Sequence, residues 1–131
     1  MVLTPLSPVR KGFIGEQKVV VALIEKNHAV YLPVVDDTGI DMVVETTKNI
    51  YRVQVKTIHT MKSKTSIEVK LDKHIDHDHK IDIVAVYYKP RDIIAYIPFK
   101  NKSRINLALY TAKNKQEQKR LWFYEFMEFP P

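Results

Sequence analysis

Residues 39 to 56, GIDMVVETTKNIYRVQVK, carry Asp41, Glu45, Arg52, Gln54 and Lys56 at spacings that can bring them together. Apolar runs flank the polar stretch TTKN, residues 46 to 49, which reads as a turn between two strands. If Glu45 faces Ile50, antiparallel pairing counts back to set Asp41 directly opposite Gln54. Side chains alternate between faces along a strand. Gln54 and Lys56 therefore share the face of Asp41, while Ile40, Met42, Val44, Tyr51, Val53 and Val55 take the other. Cross-strand Cβ atoms lie about 4.5 to 5.5 Å apart, close enough for a carboxylate and an amide oxygen to share one hard cation. A lysine two residues on can hold or activate a water beside it. A hairpin with one face in water shows the same alternation, so the cluster needs support from other parts of the chain.

Rival clusters are weaker. HIDHDH, residues 74 to 79, gathers His74, His77 and His79 with Asp76 and Asp78, but the spacing fits no compact metal motif and suits a solvated connection. Asp36 and Asp37 precede Gly39 and do not face Gln54 in this register. Trp122, Phe123, Tyr124, Phe126 and Phe129 offer stacking surfaces for bases, although a terminal aromatic cluster belongs more often to a core or a subunit interface.

The elements that must position the cluster follow from periodicity. Val19, Val20, Leu23 and Ile24 recur at helical spacing between about Gly15 and Lys26, with Asn27 as a stop. Residues 29 to 34 read as a strand that runs into DDTG. After the hairpin, residues 58 to 66 have no period and form a mobile basic loop in this reading. Residues 67 to 71 alternate like a strand, and residues 81 to 88 form a near-continuous apolar run suited to a central strand. KPRD turns the chain into a strand over residues 93 to 98, and residues 113 to 129 form a helix or strand that docks the terminus. The expected fold is α/β, a mixed central β-sheet with flanking helices.

The chain has 131 residues, 45% of them hydrophobic, which suits one domain with a real core. No run approaches the roughly 20 apolar residues of a membrane span, and the first residues lack the apolar stretch of a signal peptide. A soluble, cytoplasmic protein is expected. The absence of cysteine excludes disulfides and thiolate metal sites, so any metal is held by oxygen or imidazole. Lys and Arg number 21 against 15 Asp and Glu, a net charge of +6. Phosphate backbones are the natural counter-surface for such an excess. Lys62 and Lys64 in the loop, and Lys100, Lys102 and Arg104 after the last core strand, are the expected DNA-binding cations; Lys113, Lys115, Lys119 and Arg120 extend the basic region.

The order of these residues resembles the PD-(D/E)XK nucleases, whose motif is an acid at the start of a hairpin and, across the turn, an acid, any residue and a lysine. Asp41 and Gln54-Val55-Lys56 match it, with Gln54 standing where most members carry Glu or Asp. GFIGEQKVVVALIEKNHAVYLP is similar to the first helix and strand of the branch that includes archaeal Holliday-junction resolvases, in which a Gly-Glu pair opens the helix and the Glu joins the metal site; here the pair is Gly15 and Glu16. KIDIVAVYYKPRDIIAYIP is similar to later core strands of that branch, so the resemblance spans about residues 12 to 98, with a further C-terminal element over about 107 to 129. Glutamine in the second motif position resembles a variation found in a homing endonuclease encoded within group I introns. The resemblance implies a restriction-endonuclease-like core in one domain over residues 1 to 131. It also implies Glu16, Asp41, Gln54 and Lys56 as catalytic residues, with Asp41, Gln54 and Glu16 as ligands to Mg2+, for which Mn2+ is an expected substitute. The implied substrate is double-stranded DNA, cut by a homodimer or homotetramer. A structure-selective resolvase and a non-catalytic DNA-binding module are the alternatives, and an acid early in a helix is also favoured by the helix dipole alone.

Overall fold

The computed structural model describes residues 4–71, 80–111 and 120–131. Helix α1 spans Pro8–Glu25 and so begins earlier than the apolar periodicity suggests. Ser7 caps it, its Oγ accepting from the Arg10 N–H at 3.2 Å, and Pro8 occupies the first helical position, where its missing N–H costs nothing. The helix ends in a Schellman turn: Asn27 adopts a φ of 66°, its N–H bonds to the Ile24 carbonyl and that of His28 to the Leu23 carbonyl. Gly15, Val19 and Leu23, four residues apart, form the buried stripe.

Eight strands follow among the described residues. β1 (Ala29–Tyr31), β2 (Met42–Glu45), β3 (Ile50–Ile58), β5 (Ile83–Tyr88) and β6 (Ile93–Pro98) form a five-stranded mixed sheet in the order β1-β2-β3-β5-β6. β4 (Ser66–Lys70), β7 (Arg104–Ala108) and β8 (Leu121–Trp122) form a second sheet of three. The hairpin register is the expected one, with Glu45 opposite Ile50 and Met42 opposite Val53. β3 and β5 run parallel and pair Gln54 with Val84 and Lys56 with Val86.

The large sheet is covered on both faces, which is why β5 is apolar at every position. On one face Val19 and Leu23 of α1 pack with Met42, Val44, Val53, Val55, Ile83 and Ala85. On the other, Val84, Val86, Ala95 and Ile97 meet Ile67, Val69, Ile105 and Leu107 of the second sheet. Phe123 is wholly buried in that second core, at the start of a short 3-10 turn over Phe123–Phe126. The chain then crosses to the first core, where the Phe129 ring lies 5.1 Å from Tyr96 and 5.3 Å from Tyr51. The terminal aromatics thus join the two cores.

Further segments differ from the sequence reading. β1 stops at Tyr31, and the terminal element is a two-residue strand followed by a 3-10 turn. β7 was not expected as a strand: Arg104 opens it rather than lying in a connection. The segment after β3 is also more ordered than a mobile loop, since the Ser63 hydroxyl accepts from the Thr65 and Ser66 N–H groups and Lys62 N–H reaches the Ser66 carbonyl at 3.0 Å. Lys113, Lys115 and Lys119 lie outside the described residues.

Gly15 sets how closely α1 approaches β3. A Cβ there would come within 1.8 Å of the Thr57 Oγ1. Gly15→Ala is expected to destabilise the fold, because overpacking costs about 1–3 kcal/mol or more at so short an approach and alanine returns only about 1 kcal/mol of helix propensity. Urea unfolding checks this. Adding Thr57→Ala should recover most of the loss, and a double variant no more stable than Gly15→Ala would place the cost elsewhere.

Candidate active site

Asp41 sits one residue before β2, at the point where the backbone ladder of the hairpin gives way to a side chain. Its N–H donates to the Val53 carbonyl at 2.9 Å, and its Oδ2 accepts the Val55 N–H at 2.7 Å. The carboxylate takes the place of a backbone acceptor and is fixed in orientation by β3. Glu45 and Arg52 are engaged by partners outside the Asp41 group. Glu45 accepts from the Tyr31 hydroxyl at 3.0 Å, and Arg52 pairs with Asp82 at 3.1 Å while its N–H bonds to the same carboxylate. Gln54 and Lys56 are half-buried on the Asp41 side of β3.

Helix α1 brings Glu16 to this place. Glu16 lies in the third turn, and the first turn holds no acid, so the dipole preference for acids at a helix start does not account for it. Instead, the missing side chain of Gly15 lets the helix settle against Thr57, next to Lys56, and the following residue reaches Asp41. The Glu16 carboxyl is pushed up to about 7 by burial, by the charge of Asp41 and a hydrogen bond to it, and by the charge of Asp36. Asp41 is also raised, chiefly by burial and then by Asp36, against the lowering effect of the Val55 N–H, the Glu16 bond and the Lys56 charge. Two acids therefore lie side by side near a lysine, and the Glu16 carboxyl holds its proton more tightly than a free glutamate. Asp36 acts electrostatically on both, a proximity that the hairpin register alone did not reveal.

Gln54 completes the group. Its Nε2 donates weakly to the Val55 carbonyl at 3.5 Å, whereas its Oε1 is buried without a hydrogen-bond partner among the described residues. A buried carbonyl oxygen left unpaired costs free energy and calls for an explanation. Among the described residues no three His, Cys, Asp or Glu side chains converge to hold an ion by themselves. Two carboxylates and a neutral amide oxygen nevertheless make an all-oxygen set suited to a hard divalent ion that keeps several waters. His74, His77 and His79 lie outside the described residues. Sequence reasoning missed Thr57 and His59, whose Oγ1 and Nε2 are likewise buried and unpaired among the described residues.

The raised Glu16 pKa makes stability depend on pH. Glu16 binds its proton more tightly folded than unfolded, so its contribution is present at low pH, falls as pH rises from about 4.5 towards about 7, and is gone above that. Glu16→Gln should therefore raise the melting temperature relative to wild type at pH 8 in EDTA, and the gain should vanish near pH 5. Equal melting temperatures at both pH values would show that folding does not raise the Glu16 pKa.

A family model for PD-(D/E)XK endonucleases matches residues 6–129. The chain belongs to the PD-(D/E)XK endonuclease family. The match extends through β7, β8 and the terminal aromatics, well past the core that the motif residues had suggested. The fold is similar to that of I-Ssp6803I, a bacterial homing endonuclease, at 18% identity and a TM-score of 0.67 over 92% of this chain and 86% of that one. It is also similar to Hjc, a Holliday junction resolvase from the archaeal hyperthermophile Archaeoglobus fulgidus, at 15% identity and a TM-score of 0.52 over 76% of this chain and 84% of that one. A search of curated protein sequences gives no match. Among the described residues no helix is long and apolar enough to cross a membrane.

Proposed function

We propose that this PD-(D/E)XK endonuclease is a cytoplasmic, magnesium-dependent enzyme that cuts double-stranded DNA at specific sites, as an intron-type homing endonuclease. The observation that carries the reading is the buried Gln54 Oε1, unpaired among the described residues, beside the two neighbouring acids Asp41 and Glu16. Asp41 and Gln54, with Glu16, would hold the ion. When bound, Mg2+ would stabilise charge on the phosphate oxygens and lower the pKa of a bound water; Mn2+ is an expected substitute.

The chain's own residues have distinct tasks. Asp41, locked by the Val55 N–H, presents a carboxylate of fixed orientation. Gln54 adds an acceptor without adding charge. Lys56 lies near enough to Asp41 to lower its pKa, and from there it positions the attacking water and offsets charge that grows on the phosphate. Hydrolysis forms a bond from the water oxygen to phosphorus and breaks the bond to the leaving ester oxygen. Lys62, Lys64, Lys100 and Lys102 are exposed and take phosphate contacts flanking the site, and Arg104 is exposed on the same DNA-binding surface. One chain holds one such centre, so cutting both strands symmetrically calls for a homodimer or homotetramer.

The test is cleavage of linear duplex, supercoiled plasmid and four-way junctions, with Mg2+ and with EDTA. Discrete cuts in duplex DNA that require the ion are expected. Preference for the junction would favour a structure-selective nuclease like the resolvase. Binding without cleavage in either Mg2+ or Mn2+ would mean that glutamine at position 54 marks a non-catalytic DNA-binding module.

A further inference from the structure

The second sheet has an outward face that the active site does not use. In the β4–β7 ladder Ile67 pairs with Leu107 and Val69 with Ile105, and these four point into the core. The alternate positions, Ser66, Glu68 and Lys70 on β4 and Arg104, Asn106 and Ala108 on β7, point the other way. Lys70, Arg104 and Asn106 are exposed, Ala108 is buried, and Glu68, opposite Asn106, is largely covered and engaged by Lys62 at 3.8 Å. Lys70 stands directly opposite Arg104. Like charges in that relation destabilise a sheet. Neither Lys70 nor Arg104 takes part in the ion pairs Lys18–Asp92, Arg52–Asp82 and Lys62–Glu68 seen among the described residues, and the acid beside them, Glu68, is the one engaged by Lys62. Folding alone gains nothing from the arrangement; an electronegative ligand lying over both side chains would.

The shape of the face narrows the ligand. Arg104 and Asn106 line a groove of about 410 Å³ together with Ser66, Lys102 and Arg120. Arg120 forms a fixed positive wall: its guanidinium donates to the Tyr110 carbonyl at 3.0 Å and to the Thr65 Oγ1 at 2.9 Å, and lies 5.5 Å from the centre of the Trp122 ring. Arg104 and Asn106 have no such restraint. β8 is only two residues long, so β4 and β7 are a two-stranded ribbon over most of their length. A ribbon of this kind enters the major groove of B-DNA, about 12 Å wide, and arginine and asparagine are the side chains that bond guanine and adenine there through paired hydrogen bonds.

We infer that the outward face of β4 and β7 reads base edges in the major groove, with Arg104 and Asn106 as the specificity-determining residues and Lys70 and Lys102 on the adjoining phosphates. Arg104 is then a base reader rather than one more phosphate contact. The inference rests on the DNA-cutting function proposed above, and the experiment separates the two.

Full-length protein is used to select from a pool of random-sequence duplexes in EDTA, so that nothing is cut. Wild type should enrich a motif. Arg104→Lys keeps the charge but not the paired donors, and it should lose about 10- to 100-fold discrimination at one position of that motif while its dependence on salt stays the same. Asn106→Ala should lose preference at a neighbouring position. Both residues are exposed, so neither change threatens the fold. Variants that enrich the wild-type motif with undiminished discrimination overturn the base-reading role and leave the nuclease reading standing. A wild-type protein that retains no duplex overturns both.

Discussion

Lys56→Ala is expected to slow cleavage by about a hundred- to a thousandfold, the range for removing one preorganised group that stabilises transition-state charge. DNA binding in EDTA should change little, because the proposed role of Lys56 lies in the transition state rather than in docking. Position 56 is well suited to that role. It is on the face of β3 that carries Gln54, opposite Val86 of the buried central strand, so the backbone beneath it has no freedom to drift. Its charge already reaches Asp41, whose pKa it lowers. Single-turnover cleavage and equilibrium binding, measured on the same preparation, separate the two effects. A variant that cuts at the wild-type rate would remove Lys56 from the active site.

Asp41→Asn should be as damaging to cleavage, by a different route. Asparagine retains an oxygen that can accept the Val55 N–H, so the hairpin should close as before. What disappears is the charge. The loss of metal affinity should exceed the about 10- to 100-fold cost of deleting a partner outside the first coordination shell, since Asp41 would be the ligand itself. Titration calorimetry with Mn2+ reads this directly, with circular dichroism to verify the fold. A second consequence is independent of metal. The Asp41 charge is one of the causes that raise Glu16, so in Asp41→Asn the Glu16 carboxyl should titrate lower than about 7. An unchanged metal titration would exclude Asp41 as a ligand, whereas an unchanged Glu16 would mean that burial and the Asp36 charge set its pKa without Asp41.

The hairpin and its register were legible in the sequence because both depend on local rules. Period-two alternation from Met42 to Glu45 and from Ile50 to Val55, closed by a short polar turn, admits one pairing that puts Met42, Val44, Tyr51, Val53 and Val55 on a single face. The central strand was legible for a similar reason: an unbroken apolar run implies cover on both faces, which β5 has. The start of α1 was present in Ser7 and Pro8, but apolar periodicity begins later, since the first turns of the helix lie beyond the packed stripe. That offset made Glu16 look like a residue of the first turn.

The order of Glu16, Asp41, Gln54 and Lys56 along the chain, and the shared face of the last two, were determined by the sequence alone. Their convergence was decided only by tertiary structure. Glu16 meets Asp41 because a glycine in one element accepts a threonine from another, and Asp36 bears on both through space rather than through strand register. The second sheet is the clearest case. β7 pairs with a strand more than thirty residues earlier in the chain, and five alternating residues between polar segments carry no local mark of that partner. Alternation states that a strand has two faces; which face meets a core and which meets solvent is set by the surface it packs on. For Arg104 that choice is what turns a charge in a basic stretch into a side chain held on a rigid ribbon.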